Sequence, residues 1–517
     1  MIKKFLGNTV WVSLGNFSLT LVGLINNIFL TKYFKISDIT DSLIIAKNIT
    51  EIILKFILIG NISIIIAPLF IERFSLNKVN GMRFIYSIHN FFLLIFTGII
   101  FLIIYYKEII INFIAPGFTS SSKILASNIL ILYLIGNLFT LSISILNTIF
   151  NARKLFFNSS IVLLVSSIIQ IILLFFLIKK FKIYSFPISF IISQFFGMLS
   201  IIILLVKDGN FNYKLLFIIK KEPILSTVKI ILPFLITVFF TEINSLFYNR
   251  ITSTLSEGDL TSINLAYKLF QAFNSVLIFA VSTVLVYDIS QEIMDSKTEL
   301  INAKISKSLY CVIFILITLT VFFCTFSQDI VKIIFERGSF NQFNTLKVGN
   351  ILIIFFIGII PQFIQAFFYK LILMLRKTAF VSVSWSAINI FQTILFFPLS
   401  KIYGIYGIAL AQTFSVIVAS IIFSIYLYKN NLFNLKVFFN IDYLKIFIVS
   451  LIIVVILALI KNFFLLNYNV SGFFILIYFI ASFIIFYVSL LNIITKTEAI
   501  IIIKNQINTL FSSIKSK

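Results

Sequence analysis

Apolar stretches of about twenty residues, almost free of charge, follow one another along nearly the whole chain, separated by short segments rich in Lys, Arg, Asn and Gly. A run of that length crosses the ~30 Å hydrocarbon core of a bilayer as one helix, whereas a soluble helix would carry a polar stripe along its length. The pattern predicts fourteen helices, at residues 9–34, 39–70, 84–106, 124–149, 159–178, 183–206, 227–250, 261–288, 309–327, 347–373, 379–399, 404–428, 443–463 and 470–494. The expected fold class is an all-α polytopic membrane protein with about 14 transmembrane helices. The opening Met-Ile-Lys-Lys has the charge of a signal peptide, but the run behind it is too long and lacks a small-residue cleavage site. It reads as a retained first span.

The pattern repeats. IIINFIAPGF, ending at Phe118, is followed by NILILYLIG (Asn128 to Gly136), and IVKIIFERGSF, ending at Phe340, by NILIIFFIG (Asn350 to Gly358). The offset is 222 residues, and both following helices end in a basic pair, Arg153-Lys154 and Arg376-Lys377. Asp38, Thr40 and Lys47 match Asp259, Thr261 and Lys268 at an offset of 221. Six crossings per copy is an even number, so the copies share orientation and are related by an axis along the membrane normal. Parallel repeats of this kind build transporters that hold substrate between two lobes. The expectation is two pseudo-symmetric six-helix lobes, 1–206 and 227–428, then two C-terminal helices within 443–494 and a cytoplasmic tail, 495–517.

Charge inside a span costs about 2.5–3.5 kcal/mol on insertion scales, so it faces a wet cavity or a partner. Span 2 places Lys47, Glu51 and Lys55 at i, i+4 and i+8, stacked on one helical face. Lys268, the repeat counterpart of Lys47, should face it across the cleft, with Gln271 one turn beyond and Asp41 at the outer mouth of span 2. Lys55 and Lys268 have no acidic neighbour at helical spacing, so the cleft reads as a cationic site for an anionic passenger such as phosphate or pyrophosphate. The competing reading is a salt-bridge network that only ties helices together. Glu242 in span 7 either pairs with a cavity lysine or helps bind a coupling cation. Pro187, Pro233 and Pro361 lie within spans and are expected to kink or open them.

Composition narrows the class. Hydrophobic residues make up 60% and charged ones 11% of 517 residues, against about 25% charged in soluble domains. A soluble enzyme, a secreted disulfide scaffold and a disordered chain are excluded. Lys+Arg 41 against Asp+Glu 18 would point to nucleic acid in a soluble chain. Here the basic residues cluster at helix ends, where they set topology and meet anionic headgroups. About 23 fall on inner segments and about 13 on outer ones if the N-terminus is inside, which favours N-in and C-in. Cys311 and Cys324 lie ~20 Å apart along one helix and cannot pair. His89 is expected to be packed rather than a proton relay. No P-loop, acidic metal cluster or Ser-His-Asp set is evident, so the chain is not expected to be an enzyme or to carry a cofactor.

Several motifs resemble one family. Gly23 to Pro68, with ITDSLIIAKN (Ile39–Asn48), is similar to the first two spans of the MurJ/MviN lipid II flippases, within the multidrug/oligosaccharidyl-lipid/polysaccharide exporter superfamily. IAPGF (Ile114–Phe118), IVKIIFERGSFNQFNT (Ile330–Thr345), NRITSTLSEGDLTSINLAYKLFQ (Asn249–Gln271) and GIYGIALAQTFS (Gly404–Ser415) resemble its further signatures. The resemblance implies a flippase carrying a polyprenyl-pyrophosphate-linked saccharide from inner to outer leaflet of the bacterial inner membrane by alternating access. It implies a monomer whose partners are that substrate and membrane lipids, with no nucleic acid. The family's cavity arginines fall on Thr20, Asn26 and Leu54, its eighth-span arginine on Lys268 and the following glutamate on Gln271, while Asp41 and Lys55 keep its second-span acidic and basic positions. Substrate-binding residues implied together are Lys47, Lys55, Lys268, Asp41, Glu51, Asn26 and Gln271. Glu242, Asn389 and Thr413 are the nearest counterparts of the family's sodium site, with Thr393 where its acidic residue is expected; coupling by Na+ or H+ is implied. The rivals are an O-antigen or capsule repeat-unit flippase, a multidrug extruder and a non-transporting membrane scaffold.

Overall fold

The computed structural model describes residues 2–58, 62–153, 155–208, 222–275, 298–375, 377–439 and 441–467, with a few single positions at 278–289 and 481–482. The fourteenth span and the tail lie outside the described residues. In chain order the helices are α1 (Ile2–Tyr33), α2 (Asp38–Ile57), α3 (Ile62–Leu76), α4 (Lys78–Ile114), α5 (Ser120–Ala152), α6 (Phe156–Phe181), α7 (Ser185–Lys207), α8 (Glu222–Thr252), α9 (Asp259–Asn274), α10 (Thr298–Phe335), α11 (Gln342–Ile357), α12 (Ile359–Met374), α13 (Thr378–Tyr403), α14 (Ile405–Lys429) and α15 (Ile441–Asn467). The apolar runs become helices because lipid cannot satisfy backbone groups, and a helix pairs them within itself. Polar side chains mark the starts: Asn77, Thr119 and Asn341 each accept a backbone N–H at the N-terminus of α4, α5 and α11.

Two expectations change, for span 2 and for Pro187, while the bend expected near Pro361 is present. Span 2, expected unbroken over 39–70, consists of α2 and α3. The tenth span bends by 46° between α11 and α12. Pro361 lies in the first turn of α12, where it leaves the Ile357 carbonyl without its N–H donor, so the break sits at Gly358. Pro187 makes no kink; it lies in the first turn of α7, where a missing N–H costs nothing. Among the described residues seven helices are long and apolar enough to cross a membrane, eight with the bent pair, and Phe156–Lys207 is counted once although it holds α6 and α7. The lower number has a cause in α2, whose five ionisable residues (Asp38, Asp41, Lys47, Glu51, Lys55) dilute its apolar character.

Two compact units emerge. The first holds Met1–Lys268, Arg337–Phe340 and Trp385–Ile408, the second Leu269–Glu336, Asn341–Ser384 and Ala409–Lys517. Within the first, α6 packs on α1 and α7, and α5 packs on α2, α4 and α7 around a continuous buried core that includes Ile45, Tyr86, Phe96, Leu134 and Phe150. Within the second, α10 packs on α11 and α15. Phe323 and Phe356 stack there with ring centroids 4.6 Å apart.

The repeat shows itself in the first unit as reciprocal contacts. A Cβ on Gly117 would fall 2.1 Å from the Ser253 carbonyl oxygen, and one on Gly338 would fall 2.2 Å from that of Lys32. Gly117 and Gly338 are 221 residues apart, as are Lys32 and Ser253. Each loop therefore docks its glycine on the end of the other repeat's first helix, as a two-fold relation requires. Arg250 donates to the Phe113 carbonyl beside the first dock, and Ser339 Oγ donates to the Thr31 carbonyl at 2.8 Å beside the second. Because the obstacle is backbone, Gly117→Ala and Gly338→Ala should each destabilise by about 1–3 kcal/mol, with Gly338 worse because its φ is +64°. Thermal unfolding in detergent would check this; an unchanged midpoint for both variants would mean that the docks are not tight.

Candidate substrate-binding site

The site starts from the face of α2. Helical spacing sets Lys47, Glu51 and Lys55 in one column, and Lys47 Nζ lies 3.8 Å from Glu51 Oε1. The side chains keep 38%, 46% and 49% of their surface accessible. Lys47 pairs with Glu51, and Lys268 and Lys55 lie near enough for their charges to act on the same carboxylate. Accessible charges surrounded by one another mark a water-accessible space rather than packed core. Lys268, half-buried on α9, closes the cluster. Tyr133 of α5 is buried within range of the Glu51 charge.

The structure brings together Lys47, Glu51, Lys55 and Lys268 as expected, but Lys55 is not free. Its Nζ lies 3.6 Å from Oε1 of Glu242 on α8, a carboxylate only 3% exposed. The partner sits 187 residues away in sequence, so no spacing on α2 could reveal it. Glu242 is thus the counterion of a cavity lysine, the first of the two readings its position allowed.

Asp41 stands at the start of α2, bonded to the start of α9. It is buried, and its oxygens accept the N–H groups of Gly258 (2.9 Å) and Thr261 (2.8 Å) and the Thr261 hydroxyl (2.5 Å). A carboxylate at the N-terminus of α9 satisfies donors that the helix itself leaves open and meets the positive end of its dipole. Thr40 Oγ1 lies 2.9 Å from Thr261 Oγ1, so two repeat-related residues touch each other.

Asn26 is half-buried on α1, and its Oδ1 has no hydrogen-bond partner. Gln271 stands one turn past Lys268 along α9, in the second unit. Of the three ion-site counterparts, Glu242 and Asn389 lie in the first unit and Thr413 in the second. Asn389 Nδ2 donates to Thr241 Oγ1 (3.3 Å) and to the Trp385 carbonyl (2.9 Å), while Asn244 Nδ2 donates to the Asn389 carbonyl (3.1 Å) and Thr393 Oγ1 (2.9 Å). Thr413 Oγ1, in the second unit, donates to the Ile354 carbonyl at 3.0 Å. Glu242 is turned to Lys55, and the hydrogen-bonded side chains between α8 and α13, Thr241, Asn244, Asn389 and Thr393, are neutral.

Sequence reasoning missed two ties that hold α2 in place. Asn48 Nδ2 donates to Asn249 Oδ1 of α8 (2.8 Å), and Asn137 Nδ2 of α5 donates to the Thr50 carbonyl (3.3 Å). The available signal was an amide on each helix at the depth of the charges. His89 is buried with Nε2 2.9 Å from Ser142 Oγ, the packed role expected of it. No group of three or more potential metal-ligating side chains occurs among the described residues.

With this geometry in view, a family model described as lipid II flippase MurJ matches residues 30–480. The chain belongs to the MurJ family. It is 26% identical over 456 residues to the lipid II flippase MurJ of Thermosipho africanus, covering 88% of this chain and 91% of that one. To the probable lipid II flippase MurJ of Borreliella burgdorferi it is 23% identical over 432 residues, covering 82% and 83%. Among solved structures, a lipid II flippase MurJ in an inward closed conformation superposes with a TM-score of 0.76 at 23% identity, covering 93% of this chain and 97% of that one. An inward-facing multidrug resistance MATE family transporter of the MOP superfamily gives a TM-score of 0.65 at 13% identity, over 80% of this chain and 94% of that one. At these identities the likeness shows the fold, and this MurJ-family member is an all-α, multi-pass membrane protein.

Proposed function

We propose that this MurJ-family protein is a flippase that moves a polyprenyl-diphosphate-linked saccharide of the lipid II type from the inner to the outer leaflet of the bacterial cytoplasmic membrane. The observation that carries the reading is the gathering of Lys47, Lys55 and Lys268 around Glu51 in an accessible space. Three cations at membrane depth are costly without an anion, and a diphosphate supplies one. Lysine binds phosphate as a point charge through three rotatable donors. The polyprenyl tail stays in lipid while the headgroup occupies the cluster, and Asn26, with its open acceptor, and Gln271 offer neutral groups to the saccharide.

The two lobes, 1–206 and 227–428, would rock about the repeat axis with the C-terminal helices of 443–494 appended, in a monomer oriented N-in and C-in. The Asp41 contacts with Gly258 and Thr261 then close the outer end and must part for release. Residues 71–83 should be cytoplasmic and 107–123 external. A single cysteine replacing Lys78 should resist impermeant thiol reagents in intact cells; labelling there would reverse the orientation. Function is tested by fluorescence-based translocation in vesicles, comparing undecaprenyl-diphosphate muropeptide with O-antigen-type and capsule-type undecaprenyl diphosphates. Preferential flipping of the muropeptide supports the lipid II reading. Preference for another glycan assigns that glycan, and no flipping of any of them refutes the activity.

A further inference from the structure

Lys55 is held by a carboxylate that differs from everything else in the cluster. Glu51 is accessible and shares several cations, whereas Glu242 is 3% exposed, contacts Lys55 through Oε1 at 3.6 Å and leaves Oε2 without a partner. Lys55, with half its side chain accessible, can swing into the cavity on its flexible stem; Glu242, packed on α8, cannot follow. We infer that Glu242 is an internal competitor of the substrate's diphosphate: it holds Lys55 in the empty carrier, yields it when the headgroup binds, and reclaims it to expel the headgroup at the outer leaflet. The inference rests on the proposed diphosphate site and adds the device that empties it.

Charge counting supports the exchange. Lys47, Lys55 and Lys268 set three positive charges against the two of Glu51 and Glu242, and a diphosphate diester brings about two more negative charges. Loading therefore leaves Glu242 buried without its counterion, a state that is unfavourable unless Lys55 returns or the carboxylate takes a proton. The charges that act on Glu242 come from α2, namely Lys55 and Glu51. Of the other helices against α8, α3 carries Glu72 and Arg73 in its last turns. Helix α4 carries Lys78 and Arg83 near its start, Lys107 and Glu108 near its end, and His89 bonded to Ser142. Helix α13 has no ionisable side chain between Thr378 and Pro398. Lys55 is thus the ion-pair partner of Glu242 among the described residues.

The test uses the full chain in detergent with UDP-N-acetylglucosamine as probe, a soluble diphosphate diester whose phosphates do not titrate near neutral pH. Removing the competitor should tighten binding, so Glu242→Gln should bind the probe about tenfold more tightly than the wild type near pH 8. Vesicle translocation by Glu242→Gln should slow, because release becomes limiting, while Glu242→Asp, which keeps a carboxylate, should bind the probe more weakly than Glu242→Gln and translocate faster than it. Equal affinity of the wild type and Glu242→Gln, with the wild type binding the probe, would overturn the competitor role alone. Failure of the wild type and both variants to bind would overturn the diphosphate site with it.

Discussion

Replacing Lys268 by Ala is expected to lower translocation of a polyprenyl-diphosphate glycan by about 10- to 100-fold, the loss of one charge-assisted contact, with little loss of folded protein. Lys268 stands in the field of Lys47 and Lys55, which oppose its charge, as well as that of Glu51, which favours it. Deleting one cation among three therefore relieves repulsion and need not unfold the site. Lys268→Arg should keep or raise activity, because a guanidinium grips phosphate with two parallel donors. Lys268→Glu should be worst, setting like charge against the passenger. If the cluster only ties helices together, Lys268→Ala should instead lower thermal stability, and transport should fall in proportion to folded protein. Translocation in reconstituted vesicles, read beside thermal unfolding, separates the two. Full transport by Lys268→Ala at wild-type stability would contradict both.

The second large effect concerns the contact between the starts of α2 and α9. Thr40 and Thr261 meet with their hydroxyl oxygens 2.9 Å apart, beside the Asp41 contacts. In a background in which Cys311 and Cys324 are replaced, Thr40→Cys with Thr261→Cys should form a disulfide on mild oxidation. Alternating access requires these helix starts to separate, so oxidation should abolish translocation and reduction should restore it. The single-cysteine variants should respond to neither treatment. Undiminished transport by the fully oxidised pair would mean that this end of the molecule does not open. Non-reducing electrophoresis would establish that the bond had formed.

How much of this was legible in the sequence follows from the range of each interaction. The spans were legible because lipid demands long apolar runs, and helices such as α4, α5 and α14 lie where those runs predict. The repeat was legible because Gly and Asn punctuate otherwise interchangeable Ile-rich helices, and Gly117 and Gly338 turn out to touch backbone. The end of α2 at Ile57 was not anticipated, although Gly60 and Asn61 follow it closely in the sequence as a turn signal. The lysine column was legible from i, i+4 spacing on one helix. The Lys55–Glu242 pair and the Asp41 cap of α9 were not, because each joins helices brought together only by packing. Thr241 and Asn244 face α13 while Glu242, between them in sequence, faces α2, about 100° around the helix.

The central claim is that Lys47, Lys55 and Lys268 cradle a diphosphate. Native mass spectrometry of the purified protein tests it most directly, using undecaprenyl-diphosphate muropeptide beside an analogue in which a neutral linkage replaces the diphosphate. The account predicts a one-to-one adduct with the diphosphate lipid alone, lost when the three lysines are replaced together by Gln in a protein that remains folded. Equal retention of both lipids, or an adduct that survives the triple replacement, would contradict it.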